Sequence, residues 1–148
     1  MNFAVMAKYA VYFRQGVLYT ILLSVFAVAL GFILALMLAL MRLSKNRLLK
    51  GVAGAYIEVM RCTPMLVQLY FMFYVVFVKY ITVPKFTMFG FIDGSRFVPG
   101  VVTIALNSAA YVAEIIRAGI QNLDYGQTEA ARSLGMSQAQ NMRYIVLP

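Results

Sequence analysis

The sequence has no histidine, no tryptophan and one cysteine, Cys62. That excludes an imidazole general base and an internal disulfide, and leaves almost nothing to hold a zinc ion. Acids are scarce too: Glu58, Asp93, Glu114, Asp124 and Glu129 are scattered through 148 residues with no D-x-x-D pair. A membrane-embedded lipid-modifying enzyme, which needs clustered acids or histidines near the interface, is therefore the poorer reading. Charge of any sign is sparse. Hydrophobic residues make up 63% of the chain and charged ones 12%, with a mean hydropathy of +0.81, against roughly 45–50% apolar content in a soluble domain. This is the composition of an integral membrane protein. The net charge of +8 does not imply nucleic acid, because basic residues in so apolar a chain stand at membrane boundaries and fix orientation.

The long hydrophobic runs define the spans. Residues 15–41 carry no charge, and at ~1.5 Å per residue this run exceeds the ~30 Å hydrocarbon layer. It is too long for a signal-peptide core, so a cleaved leader is not the reading. Arg42, Lys45, Arg47 and Lys50 then place four positive charges and no acid in nine residues, marking a short cytoplasmic loop and leaving residues 1–14 outside. A second span is expected over 52–78, running outward through Glu58, Arg61 and Pro64. Pro64 should disturb it by leaving the carbonyl of Met60 to be satisfied by a neighbour or water. The segment 80–96, with Pro84, Gly90 and Gly94, reads as an external loop. A third span, 97–118, returns to the cytoplasm, so the loop over about 119–137 lies inside. The fold class expected is an all-α, multi-pass transmembrane bundle with three full spans and the start of a fourth.

Inside that loop Thr128 is the expected N-cap of a short helix, Glu129 supplies negative charge for its first turn, and Gly135 fits a left-handed position after its end. Glu129 and Arg132, at i,i+3, can pair within the helix or reach a partner. Ser137 and Gln140 fit a capping box, so a further helix should begin near Gln138. The chain stops at Pro148 before that helix could cross; a fragment and a natural truncation both fit this ending.

Three ordered blocks carry a resemblance. They are Tyr56-Ile57-Glu58-Val59-Met60-Arg61-Cys62-Thr63-Pro64-Met65-Leu66-Val67-Gln68, then Ala110–Ile120 with its A-Y-V-A-E-I-I-R-A-G-I, then Gly126-Gln127-Thr128-Glu129-Ala130-Ala131-Arg132-Ser133-Leu134-Gly135. The last continues to Ile145-x-Leu147-Pro148. Together they resemble the permease subunit of bacterial ABC importers for polar amino acids, of the glutamine, histidine and glutamate type. Residues 15–148 are similar to its transmembrane domain, incomplete at the C-terminal end. The resemblance implies a bacterial inner-membrane protein with no catalytic residue or cofactor of its own. ATP is bound by a cytoplasmic ATPase dimer, a second permease subunit completes the path, and an extracytoplasmic solute-binding protein delivers the amino acid. Coupling to the ATPase falls to Gly126, Glu129, Ala130, Ala131, Arg132 and Gly135. A truncated permease acting only in assembly stays open as the alternative. Cys62 stands where the family usually has glycine, and reads as a buried apolar residue rather than a reactive thiol.

The remaining polar residues have two readings. Glu58 with Arg61 and Glu114 with Arg117 are E-x-x-R pairs that place acid and base on one helical face. Near the membrane such groups need partners, and they serve helix packing and gate geometry or touch the solute. Asn107, Ser108 and Tyr111 offer hydrogen bonds to a solute or to another helix. Ala27, Gly31 and Ala35 form a small-residue series that suits close helix contact. The ten methionines and the aromatic run 69–74 read as lipid contact and packing.

Overall fold

The computed structural model describes residues 9–146. Most of the expected segment 1–14, and the Leu147-Pro148 end of the last block, therefore lie outside the described residues. Helix α1, Ala10–Leu43, is 34 residues long, about 50 Å at ~1.5 Å per residue. It is apolar all round, yet its buried positions are Ala27, Gly31, Ala35 and Ala39. Spacing of four puts these residues on one stripe. That stripe packs on helix α4, Gly94–Gln121, whose buried face includes Ala105, Ala109, Ala110 and Ala113. Two small-residue stripes let the backbones come close: a Cβ on Gly31 would sit 3.1 Å from the carbonyl oxygen of Ala105. In lipid, where burial of apolar surface gives no drive to associate, such close packing is what holds helices together.

Between these two helices lies the segment expected as a second span, 52–78, with its helix disturbed at Pro64, and there the structure shows a sharp bend. Helix α2, Arg47–Cys62, stops at Thr63 and Pro64; helix α3, Met65–Tyr70, continues into a π-helical segment, Phe71–Phe77, and the two arms are bent by 105°. The cause is local. Proline forces its predecessor out of the helical region, and Thr63 is extended at φ −102°, ψ 130°. Only α1 and α4 are, as single helices, long and apolar enough to cross a membrane among the described residues; a third crossing arises if the bent pair counts as one. The fold is a helical membrane bundle.

The segment 80–96 carries a small hairpin, Thr87–Met88 (β1) paired antiparallel with Ile92–Asp93 (β2), and turns through positive φ at Phe89 and Gly90. Asp93 ends it by capping α4, accepting hydrogen bonds from the Ser95 amide (3.0 Å) and hydroxyl (2.7 Å). Those two donors hold its carboxyl below the usual carboxylate range, helped by Arg96. Ile92, Phe97 and Val101 are buried here with Tyr19, Leu22 and Leu23, and Phe97 meets Tyr19 and Phe26 edge to face. At the opposite end Ile57 of α2 joins Ala35, Ala39, Ala109, Ala110 and Ala113, and the Tyr56 hydroxyl donates to the Leu106 carbonyl at 2.9 Å.

Candidate functional site

Helix α5, Tyr125–Ser133, begins four residues earlier than a cap at Thr128 implies. The cap is Asp124, whose Oδ1 accepts from the Gly126 amide at 2.9 Å; a carboxylate four residues upstream of Thr128 takes the first turn, so Thr128 and Glu129 lie inside the helix. Glu129 is thus beyond the first turn and gains little from the dipole. Gly135 does take the left-handed conformation, at φ +82°. The Gly135 amide donates to Arg132 O (3.0 Å) and the Met136 amide to Ala131 O (3.1 Å), the paired bonds of a Schellman end. Asp124 and Gly135 thereby fix a helix of nine residues at both ends.

The two alanines are not equivalent. Ala131 is buried, 4% exposed, whereas Ala130 is exposed beside Gly126, Glu129 and Arg132. Glu129 and Arg132 form no ion pair; the pairs among the described residues are Asp93–Arg96 and Glu114–Arg117. Leu134 is 81% exposed. An apolar side chain held open beside a fixed glycine turn is the signal that reading the segment as E-A-A-x-x-x-G passes over. Beyond the turn, Ser137 and Gln140 form the expected capping box, with bonds of 2.8 and 3.3 Å, at the head of α6, Gln138–Asn141. A second π-helical segment, Met142–Val146, follows.

A second group of residues sits where α2, α3 and α4 meet. Pro64 frees the Met60 carbonyl as expected, and Gln68 takes it: its Nε2 donates to Met60 O at 2.8 Å and to Thr63 O at 3.1 Å. Asn107 Nδ2 donates in turn to Gln68 Oε1 (3.0 Å) and reaches Met60 O (3.4 Å). Both amides are buried. Asn107 thus bonds between helices, and Gln68 is the residue that attention to Pro64 alone misses. Its signal is one amide in the uncharged run 63–78, four residues after the proline.

Of the two E-x-x-R pairs only one forms. Glu114 and Arg117 make a fork, Nε to Oε2 at 3.0 Å and Nη2 to Oε1 at 2.5 Å, and Arg117 Nη1 also reaches Gln121 Oε1. Glu58 and Arg61 are both exposed and unpaired with each other. Arg61 instead crosses from α2 to α4, its guanidinium carbon 5.6 Å from the centre of the Tyr111 ring. Arg42 and Arg61 add positive charge around Glu114. Ser108 is half-buried next to Asn107, and Cys62 is exposed rather than buried, since α2 ends at that residue.

The sequence profile of the family described as "Binding-protein-dependent transport system inner membrane component" matches residues 27–148. A solved structure described as an amino acid ABC transporter with histidines is similar over the whole chain, at 44% identity and a TM-score of 0.83, and the chain covers 64% of it. A Rickettsia prowazekii protein, provisionally named a glutamine transport system permease protein, is 41% identical over 90% of this chain and 57% of its own length. The L-cystine transport system permease protein TcyL of Bacillus subtilis is 45% identical over 80% of this chain and 48% of its own length. The chain thus spans about half the length of the curated relatives it matches. From the capped helix α5, the small-residue bundle and these matches, the chain belongs to the family of inner-membrane components of binding-protein-dependent transport systems.

Proposed function

We propose that the chain is part of a permease subunit of an ATP-driven importer for polar amino acids, and that α5 is its contact with a cytoplasmic ATPase. The observation that carries this reading is the exposed edge of α5. A helix of nine residues, fixed at both ends and showing Ala130 and Leu134 to its surroundings, has the small and apolar surface that a groove on another protein can bury. The likeness to an amino acid ABC transporter over the full chain supports it. The relatives' names supply the substrate class. In this reading the loop 42–50 and α5 lie in the cytoplasm and the N-terminal end lies outside, by the bias of basic residues. A second permease subunit and an external solute-binding protein complete the assembly.

The ATPase partner binds and hydrolyses ATP; this chain transmits the result. ATP must bind one arrangement of the assembly more tightly than the other, and that difference reaches the bundle through Gly126, Glu129, Ala130, Ala131, Arg132 and Gly135. Glu58, Arg61, Ser108, Tyr111, Glu114 and Arg117 line or set the gate where α2 and α4 meet, with Pro64, Gln68 and Asn107 fixing the bend beside it. The test is uptake by the full-length permease with its ATPase and binding protein: Ala130→Leu and Gly135→Asp should leave the protein in the membrane and abolish uptake. Wild-type uptake by both would end this reading.

A further inference from the structure

Helix α2 is clamped to α4 just before the bend at Pro64. The Tyr56 hydroxyl donates to Leu106 O at 2.9 Å, and Met60, one turn after Tyr56, packs on the buried cluster of Ile57, Ala109, Ala110 and Ala113. Past the bend this order stops. Among the described residues no backbone hydrogen bond ties α3 back to α2; the Val67 and Gln68 amides donate to Pro64 O, at the head of their own arm. What crosses the bend is the pair of bonds from the Gln68 side chain, to Met60 O and Thr63 O. Because Pro64 has no N–H and Thr63 is already extended, a change of backbone angle there breaks no helical bond, which is what a hinge at an element's end requires.

The Met60 carbonyl also has a second donor within reach. An asparagine amide carries two N–H groups and a carbonyl oxygen two lone pairs. Asn107 Nδ2 donates to Gln68 Oε1 at 3.0 Å and lies 3.4 Å from Met60 O, about 0.4–0.5 Å beyond the commonest N–H···O length. Leu106 directly precedes Asn107, so the Tyr56 clamp keeps Asn107 beside Met60 whatever α3 does. We propose that Pro64 is a hinge of the transport cycle and that Met60 O passes from Gln68 to Asn107 when the α3 arm swings away from α2, an inference that rests on the importer reading above. The hand-over spares the second arrangement an unsatisfied buried acceptor. Gln68 and Asn107 act as positioning residues, and neither has to touch the solute. ATP selects between the two arrangements by its differential affinity for the assembly in each.

The test is a pair of structures of the full-length permease with its ATPase in lipid nanodiscs, one nucleotide-free and one with ATP held by a hydrolysis-deficient ATPase. In one state Gln68 should hold Met60 O; in the other it should lie beyond ~3.5 Å while Asn107 closes to about 3.0 Å. Spin labels at Val52→Cys and Val78→Cys, both exposed positions, in a Cys62→Ser background with one labelled subunit per assembly, follow the angle between the arms. Without nucleotide, Gln68→Leu should shift the population toward the distance of the Asn107-bonded state about three-fold or more, the worth of one interhelical side-chain bond. A side chain that only stabilises the fold would leave that population unmoved. The wild-type structures decide even where the variant does not assemble. The same donor on Met60 O in both states, a state with neither donor, or a population indifferent to Gln68→Leu would overturn the hinge. If binding protein and amino acid do not stimulate ATP turnover in the wild-type assembly, the importer reading has failed and the hinge with it; stimulated turnover with an unmoved Gln68 defeats the hinge alone.

Discussion

Replacing Gln68 by leucine removes three hydrogen bonds with little change of volume. Met60 O loses its 2.8 Å bond and keeps only the 3.4 Å contact from Asn107; Thr63 O loses its 3.1 Å bond; the Asn107 amide loses its acceptor at 3.0 Å. Two estimates bracket the cost. Side-chain hydrogen bonds inside membrane proteins average ~0.6 kcal/mol each, giving about 2 kcal/mol for three. Two carbonyls left short of a donor cost ~1–3 kcal/mol each, giving about 2–6 kcal/mol. Since Thr63 is only half-buried, water relieves part of the second figure, and a loss of about 2–3 kcal/mol is expected. The assay is reversible unfolding of the full-length permease in mixed micelles of detergent and lipid. Asn107→Leu alone and the double variant complete a cycle whose coupling should be ~0.6–1.7 kcal/mol. A loss below ~0.5 kcal/mol for Gln68→Leu, the range of an ordinary surface change, would refute the idea that this amide secures the bend at Pro64.

Gly31→Leu should cost ~1–3 kcal/mol or more by overpacking, because even its Cβ would lie 3.1 Å from a backbone oxygen of α4; the same unfolding assay reads it. Ala131→Leu should destabilise the inner segment by a similar ~1–3 kcal/mol, whereas Ala130→Leu, at an exposed position, should leave thermal stability unchanged and weaken only the ATPase contact, which co-purification measures. Asp93 gives a pH test. Its carboxyl is held low by the two bonds from Ser95, so its help to the head of α4 is present above the ordinary carboxylate value, ~4, and is lost as pH falls through the lower folded value. Amide exchange at Ser95, corrected for intrinsic rate, should therefore quicken only in acid, and Asp93→Asn should flatten that change; an equal change in Asp93→Asn would count against it.

Much of the bundle is legible from local chemistry. The small-residue series at Ala27, Gly31 and Ala35 points to the α1–α4 contact because spacing of four is a helical stripe wherever it occurs. Pro64 points to the freed Met60 carbonyl because its ring removes one defined donor. What stays hidden depends on where the chain goes next. A proline reports a disturbed helix but not its angle, so the disturbance at Pro64 is readable while the 105° between its two arms is not. That bend brings Gln68 under Met60, and neither the contact of Arg61 with Tyr111 in place of Glu58 nor the exposure of Cys62 follows from spacing alone. In the segment 124–137 Gly135 is readable since its φ requirement is intrinsic. Thr128 and Asp124 are both good caps, and the choice between them rests on how many residues α4 keeps, which no local signal sets. The difference between Ala130 and Ala131 is likewise a matter of which side faces the bundle.

The account stands on α5 being an inner helix that presents its outer edge to an ATPase. The direct measurement is cross-linking in native membranes, using the full-length permease with Cys62→Ser and a single cysteine placed by Leu134→Cys. A cross-link from position 134 to the ATPase, with a yield that changes when ATP is added, is the predicted result. Labelling of the same cysteine by an impermeant reagent added outside intact cells, with no cross-link to the ATPase, would contradict the account.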